Sequence, residues 1–250
     1  MITDLSEERL LITSDIHLGA YSCQALGPVT RFFEYACANG YNICINGDGI
    51  DVFHTTLGHM TRDVSRLLAN LKHTLRGQTR VYYVIGNHDI VLEHFLSDWG
   101  SLRLVPFLNI TSGNLRIRVE HGHLYDPFFM NHPDLQSALT RFMGIFLRMK
   151  PHWYSWHRTV RRIRRGGEAA HSQRGKDGSL MIPGQNPSFI QAADELALRG
   201  FDYVVMGHTH APGVFDLTGG RKYVNTGSWF HNPHYVKIEN GTLELKPWNG

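Results

Sequence analysis

Leu10-Leu11-Ile12-Thr13-Ser14-Asp15-Ile16-His17 is a short apolar run that stops at two residues able to bind a divalent metal ion. Its first part is too short for a helix and predicts a buried β-strand over 10–13. The same arrangement returns four times. Apolar runs at 43–45, 81–85, 115–119 and 203–206 lead into Gly47-Asp48-Gly49-Ile50-Asp51, Gly86-Asn87-His88-Asp89, His121-Gly122-His123 and Gly207-His208-Thr209-His210. Any one cluster is weak: a Gly-Asp is most often a turn, and a lone His is usually a satisfied surface or core residue. Their joint placement is informative, because ligands of α/β sheets bind outside the carboxyl ends of the strands. Glycines at 47, 86, 122 and 207 let the backbone bend tightly and aim the next side chain into that crevice. A mixture of His, Asp and Asn without Cys suits Mn²⁺, Fe or Zn²⁺ and argues against a Cys-rich structural zinc site. One carboxylate among neutral imidazoles can bridge two cations, and a pair about 3.5–4 Å apart activates water and neutralises a phosphoryl group.

Helical patterns separate the early strands. Pro28 predicts a helix start, followed by Val29, Phe32, Phe33, Ala36 and Cys37 on one face and Gly40 as the stop. Thr61 predicts the cap of a second helix with Val64, Leu67, Leu68, Leu71 and Leu75 inward and Gly77 after its end. Asn186-Pro187 predicts a third, with Ile190, Ala193 and Ala197 inward and Gly200 as the stop. Beyond it the pattern is all-strand, with hairpin turns at Gly219-Gly220 and Asn240-Gly241. A chain of 250 residues fits one α/β domain or one domain with an insertion. No run of 18 apolar residues predicts a membrane span, and the N-terminus reads as no secretory leader. Of the three cysteines, Cys37 and Cys44 read as small buried thiols, so a cytoplasmic setting is the expectation.

Residues 131–176 break the alternation. They show no strand pattern, and two amphipathic pieces meet at Pro151: Leu139, Phe142, Met143, Phe146 and Met149, then Trp153, Trp156, Val160 and Ile163. Arg158, Arg161, Arg162, Arg164 and Arg165 crowd the second piece. From Arg141 to Lys176 there are ten Lys/Arg against one acid, Glu168. The reading is an inserted helical cap over 131–176, ending in a Gly-rich stretch, on a body formed by 1–130 and 177–250. Basic charge concentrated there suggests an anionic partner: a membrane surface, a nucleic acid or a phosphorylated substrate. The alternative is a solvated helix face that contacts nothing.

The ordered set D-x-H, G-D-x-x-D, G-N-H-D, H-G-H and G-H-x-H resembles the calcineurin-like metallophosphoesterases across the whole chain outside the cap. The resemblance implies a four-layer α/β/β/α sandwich of two mixed sheets flanked by helices. It also implies a ligand set: Asp15, His17 and His210 on one metal, Asp48 bridging, and Asn87, His121 and His208 on the other. His88 resembles the family's catalytic His, which contacts the phosphoryl oxygen and protonates the leaving group. Asp51, Asp89 and His123 look like groups standing behind the ligands; for the two acids, a turn or helix-start Asp is the equal alternative. The implied chemistry is in-line attack on phosphorus by a metal-bound hydroxide, with two divalent ions, Mn²⁺ first and Fe or Zn²⁺ next. Asn225-Thr226-Gly227-Ser228 either lines the phosphate side or is an ordinary strand-end loop.

Within the family, an aromatic, Arg-rich cap between H-G-H and G-H-x-H is similar to the branch that cleaves UDP-2,3-diacylglucosamine in lipid A synthesis. That similarity implies a lipid-linked or nucleotide-linked pyrophosphate substrate and a peripheral position on the inner membrane. Arg158, Arg161 and Arg162 would meet phosphates, while Trp153, Phe142 and Phe146 would line an apolar cleft. The branch usually has Arg at the position of His88 and Asp at that of His123, so this chain departs from it twice. Two alternatives stand beside it: a phosphodiesterase acting on nucleic acid or small diesters, and a non-catalytic scaffold, whose expected mark is missing ligands.

Overall fold

The computed structural model describes residues 4–20, 25–52, 57–71, 79–95, 102–127, 130, 173–174, 180–181, 185–230 and 232–250. The strands in chain order are β1 (Asp4–Ser6), β2 (Arg9–Thr13), β3 (Asn42–Asn46), β4 (Val81–Val84), β5 (Leu102–Val105), β6 (Leu108–Ser112), β7 (Leu115–Val119), β8 (Gln173–Arg174), β9 (Leu180–Met181), β10 (Tyr203–Met206), β11 (Gly213–Asp216), β12 (Lys222–Asn225), β13 (His234–Glu239) and β14 (Thr242–Pro247). Among the described residues three α-helices accompany them: α1 (Leu26–Ala38), α2 (Leu57–Leu71) and α3 (Pro187–Leu198).

Two six-stranded sheets carry the fold, ordered β14-β13-β2-β3-β4-β5 and β1-β6-β7-β10-β12-β11. Both are mixed: β2 to β5 run parallel, as do β7, β10 and β12, while β13 and β11 pair antiparallel. Side chains alternate across a strand, and the alternation assigns each one to a layer. Leu10, Ile12, Cys44, Tyr82 and Val84 point into the space between the sheets, where they meet Leu108, Ile110, Ile117, Val119, Val205 and Val224. Leu11, Ile43, Ile45, Val81 and Tyr83 point outward and are covered by Val29, Phe32, Phe33 and Ala36 of α1. On the second sheet, Val204, Met206 and Tyr223 face outward and are covered by Phe189, Ile190, Ala193 and Ala197 of α3. The result is the expected α/β/β/α sandwich. Phe32 is fully buried among Trp229, Tyr235 and Trp248, and burial of such a ring stabilises by about 1.5–3 kcal/mol.

The punctuation residues behave largely as predicted. Asn186 caps α3 by accepting from Ser188 N, with Pro187 at the first helical position. Gly40 and Gly200 both adopt left-handed φ just beyond α1 and α3. Asn240 and Gly241, both left-handed, connect β13 to β14 with Glu239 paired to Thr242, a two-residue hairpin turn.

Some expectations need correction. α1 begins at Leu26, so Pro28 stands within the first turn, where its missing N–H is not needed. α2 begins at Leu57, so Thr61 is not its cap; its hydroxyl donates back to Gly58 O at 3.3 Å. The helix extends further upstream, lying along α1. Strands β1, β5 and β6 are short and partly polar, and the apolar runs did not mark them. The 131–176 segment is not strand-free, since Gln173–Arg174 pairs antiparallel with Leu180–Met181. Such pairing satisfies backbone groups without needing an apolar pattern. Phe142, Phe146, Trp153, Arg158, Arg161 and Arg162 lie outside the described residues, as do Leu75 and Gly77.

Candidate metal centre

Every cluster singled out in the sequence lies at one edge of the sandwich. Asp15 and His17 follow β2, Asp48 and Asp51 follow β3, and Asn87, His88 and Asp89 follow β4. His121 and His123 follow β7, while His208 and His210 follow β10. Because these strands run parallel within each sheet, their carboxyl ends share a side. Asn46, the last residue of β3, ties the sheets together there: its Nδ2 donates to Glu120 O at 3.0 Å, and its own carbonyl lies 2.8 Å from His121 Nδ1.

The backbone is strained at this edge. Among the described residues six non-glycine residues have left-handed φ, and five of them are Asp15, His17, Asp48, His208 and His210. Such conformations cost of order 1 kcal/mol or more each and persist where the surroundings over-determine them. Close packing explains two of the glycines. A Cβ on Gly47 would come 2.3 Å from the His121 ring, and one on Gly86 would come 2.2 Å from Asp48 Oδ1.

The donor atoms form two groups that share a neighbourhood. Asp15, His17 and His210 present atoms within 4.8 Å of one another, and so do Asp48, His121 and His208. Asp48 Oδ2 stands between them, 3.3 Å from His121 Nε2 and 3.9 Å from His17 Nε2. Asn87 Oδ1 completes the second group, 3.3 Å from His121 Nε2 and 2.9 Å from His208 Nδ1. A third set, His17, Asp48 and His88, also lies within 4.8 Å.

These donor atoms fit cations. His17 Nε2 is buried and makes no hydrogen bond; it lies 3.9 Å from Asp15 Oδ1, which has His210 Nε2 at 3.0 Å on its other side. A buried polar atom left unpaired is costly, and a divalent ion is the partner that oxygen and imidazole nitrogen would share. The other faces of the same groups are occupied. Asp15 Oδ2 accepts from Ser14 Oγ and from His208 N at 3.1 Å. His121 Nδ1 donates to Asn46 O, leaving Nε2 for the centre.

Asp51 is buried and serves two imidazoles: His17 Nδ1 and His88 Nδ1 each lie 3.3 Å from its Oδ2. Asp89 has a different task. Its carboxylate accepts from Gly86 N at 2.7 Å, Gly49 N at 3.0 Å and Tyr83 Oη at 2.5 Å, clamping the loops after β3 and β4 together. Burial and the charge of Asp48 push its carboxyl up to about 7.

Electrostatics follow the carboxylates. Burial disfavours a charged His88, yet Asp48 and Asp51 overcome it and raise the imidazole to about 9. His121 is likewise raised against its burial, to about 10, by Asp48 and Asp15. His123, two residues on, is pushed down to about 3 by burial and by His121. Asp15 is held at about 2 despite burial, through His210 and His121.

Several contributors were not legible in the sequence. Asp126 Oδ2 lies 3.0 Å from His208 Nε2. Phe230 stacks on His17 at 5.0 Å between centroids, and Phe189 stacks on His208 at 5.6 Å. Asn225 and Thr226 brace the centre from behind: Asn225 Nδ2 donates to Gly207 O at 2.8 Å, and Thr226 Oγ1 lies 2.6 Å from Ser14 Oγ. Their side chains are thus used in support, as in an ordinary strand-end loop.

The calcineurin-like phosphoesterase profile matches residues 8–212 of this chain. The chain is a calcineurin-like phosphoesterase. The match spans all five clusters, and the family is one of metal-dependent hydrolases with dinuclear centres. Similar proteins include a UDP-2,3-diacylglucosamine hydrolase of Shewanella sp. (strain ANA-3), 21% identical over 244 residues, covering 95% of this chain and 97% of that one. Another of the same name, from Shewanella sp. (strain W3-18-1), is 23% identical over 246 residues, with 95% and 96% covered. Among solved structures, a dimetal phosphatase from Danio rerio shares the fold, with a TM-score of 0.50, 12% identity and coverage of 96% of this chain and 95% of that one. The phosphoesterase therefore carries its five clusters in the fold the sequence resemblance implied.

Proposed function

We propose that this phosphoesterase hydrolyses a phosphoester or pyrophosphate bond of a lipid-linked or nucleotide-linked substrate, with UDP-2,3-diacylglucosamine as the specific candidate. The observation that carries the hydrolytic reading is the position of Asp48 between two donor groups, beside the buried His17 Nε2 that makes no hydrogen bond. Asp15, His17 and His210 would hold one divalent ion, Asn87, His121 and His208 the other, and Asp48 both. Mn²⁺ is the first choice, with Fe or Zn²⁺ compatible with the same donors. Two ions held there would supply an activated water and neutralise phosphoryl charge.

The chain's own groups then divide the remaining work. Without the ions, Asp48 and Asp51 raise the His88 imidazole to about 9. We assign this ring the donation of a proton to the departing oxygen, a role worth about 10²–10⁴-fold. Asp51 Oδ2 accepts from His17 Nδ1 and lies 3.3 Å from His88 Nδ1, so one carboxylate faces both ligand and acid. His123 is neutral at neutral pH and packs against His121, 5.5 Å between centroids.

The substrate proposal is supported by relatives named UDP-2,3-diacylglucosamine hydrolase that match 95% of the chain. The basic, aromatic composition of 131–176, which we read as a cap, suits acyl chains and phosphates. On that reading the protein works at the cytoplasmic face of the inner membrane as a peripheral protein. Among the described residues no helix is long and apolar enough to cross a membrane. The test is to load purified protein with Mn²⁺ and compare turnover of UDP-2,3-diacylglucosamine, aryl phosphodiesters and short single-stranded DNA. Preference for the lipid nucleotide is expected; faster, steeply salt-dependent cleavage of DNA would replace it with the nucleic-acid reading.

A further inference from the structure

We propose that Asp126 is a positioning residue for the ion site of Asp48, Asn87, His121 and His208, acting through His208. The inference rests on the ligand assignment proposed above. The two ring nitrogens of His208 face opposite partners: Nδ1 lies 2.9 Å from Asn87 Oδ1, on the donor side, and Nε2 lies 3.0 Å from Asp126 Oδ2. A carboxylate accepts only a proton-bearing nitrogen, so Asp126 selects the tautomer with hydrogen on Nε2 and the lone pair on Nδ1. It also makes that lone pair more basic toward a cation.

The remaining freedom of the ring is removed by its neighbours. Phe189 of α3 stacks on it with 11° between planes, and the His208 backbone N–H is held by Asp15 Oδ2 at 3.1 Å. Asp126 itself ends the single helical turn His123–Tyr125, with its N–H donating to His123 O at 3.2 Å. The short stretch 121–126 would thus deliver one ligand directly, His121, and orient a second that arrives on β10. His121 needs no such carboxylate, because a backbone carbonyl already holds its far nitrogen.

The test compares Mn²⁺ binding, by dialysis with elemental analysis and by chelator competition, in wild type, Asp126→Ala, Asp126→Asn, His208→Ala and the Asp126→Ala/His208→Ala double variant. Asp126→Ala is expected to weaken one of the two ions about 10–100-fold and leave the other unchanged. Asp126→Asn should lose less, since its amide oxygen still accepts from Nε2–H. The double variant should bind no worse than His208→Ala alone, because Asp126 acts through that ring. Raising Mn²⁺ should recover kcat toward an aryl phosphodiester in Asp126→Ala. A merely structural role would weaken both ions, and the two losses would add. Wild-type affinity for both ions in Asp126→Ala overturns the proposal, as does additivity. If Asp126→Ala fails to fold, Asp126→Asn decides: a measurably weaker single ion supports the proposal, and unchanged binding overturns it. If His208→Ala itself keeps both ions at wild-type affinity, the ligand assignment fails and this inference falls with it.

Discussion

The two sheets bring different chemistry to their common edge. Loops after β2, β3 and β4 supply Asp15, Asp48, Asp51 and Asp89, together with His17, Asn87 and His88; loops after β7 and β10 supply His121, His123, His208 and His210. The acidic half is closed, with Asp15, Asp48, Asp51 and Asp89 no more than 1% exposed. In the imidazole half His121 and His123 are buried as well, while the His208 and His210 side chains are 13% and 36% exposed. Burying the carboxylates and leaving imidazoles at the mouth has a physical consequence. Fields from buried carboxylates are weakly screened, and they raise His88 and His121 against the burial of those rings.

If the halves differ in this way, their variants should differ too. The largest effect is expected for Asp48→Ala, which removes the carboxylate facing both donor groups: both ions and all measurable activity should go together. Elemental analysis showing two metals per chain in that variant would break the comparison at its centre. Next comes His88→Ala, which should keep both ions yet lose about two to four decades in rate on a poor leaving group. An ester with a low-pKa leaving group, which departs without a proton, should lose less; equal losses remove the acid role. Loss of an ion would instead make His88 a ligand, as the third donor set allows.

Asp51→Asn sharpens the contrast, because its carboxylate supports two rings of the acidic half. A loss of about 10–100-fold in activity is expected, with His88 titrating lower in a pH profile, since Asp51 is among the groups that raise it. A profile identical to wild type would show that Asp48 alone holds the proton. The smallest effect concerns 131–176 against the body. Replacing Arg161 and Arg162 together by Glu should weaken binding to anionic vesicles by about 1 kcal/mol for each charge removed. Turnover of a small soluble phosphodiester should hardly change; a parallel fall in both would mark the segment as structural support and remove its part in the lipid reading.

The two halves were not equally legible in the sequence. Asp15, His17, Asp48, Asn87, His121, His208 and His210 all stood out, because each follows a strand directly and the strand's apolar run flags it. Asp51 and Asp89 stood out only as ambiguous acids. The structure separates them: Asp51 holds rings, while Asp89 holds backbone amides and Tyr83. Asp126 was invisible, since an Asp after one helical turn reads as a cap, and its partner His208 is 82 residues away. The contact between Ser14 and Thr226, 212 residues apart, was missed for the same reason.

By itself the sequence determined the family and the layer pattern and marked the candidate donor residues, because all three are written in local order: strand, bend, polar cluster. Which candidate donors lie within 4.8 Å of one another and which acid stands beside which ring were decided only by tertiary structure. Those properties depend on distances of 3–4 Å between loops from different sheets and on the burial that lets one carboxylate act on several rings. Neither quantity has a counterpart in residue spacing.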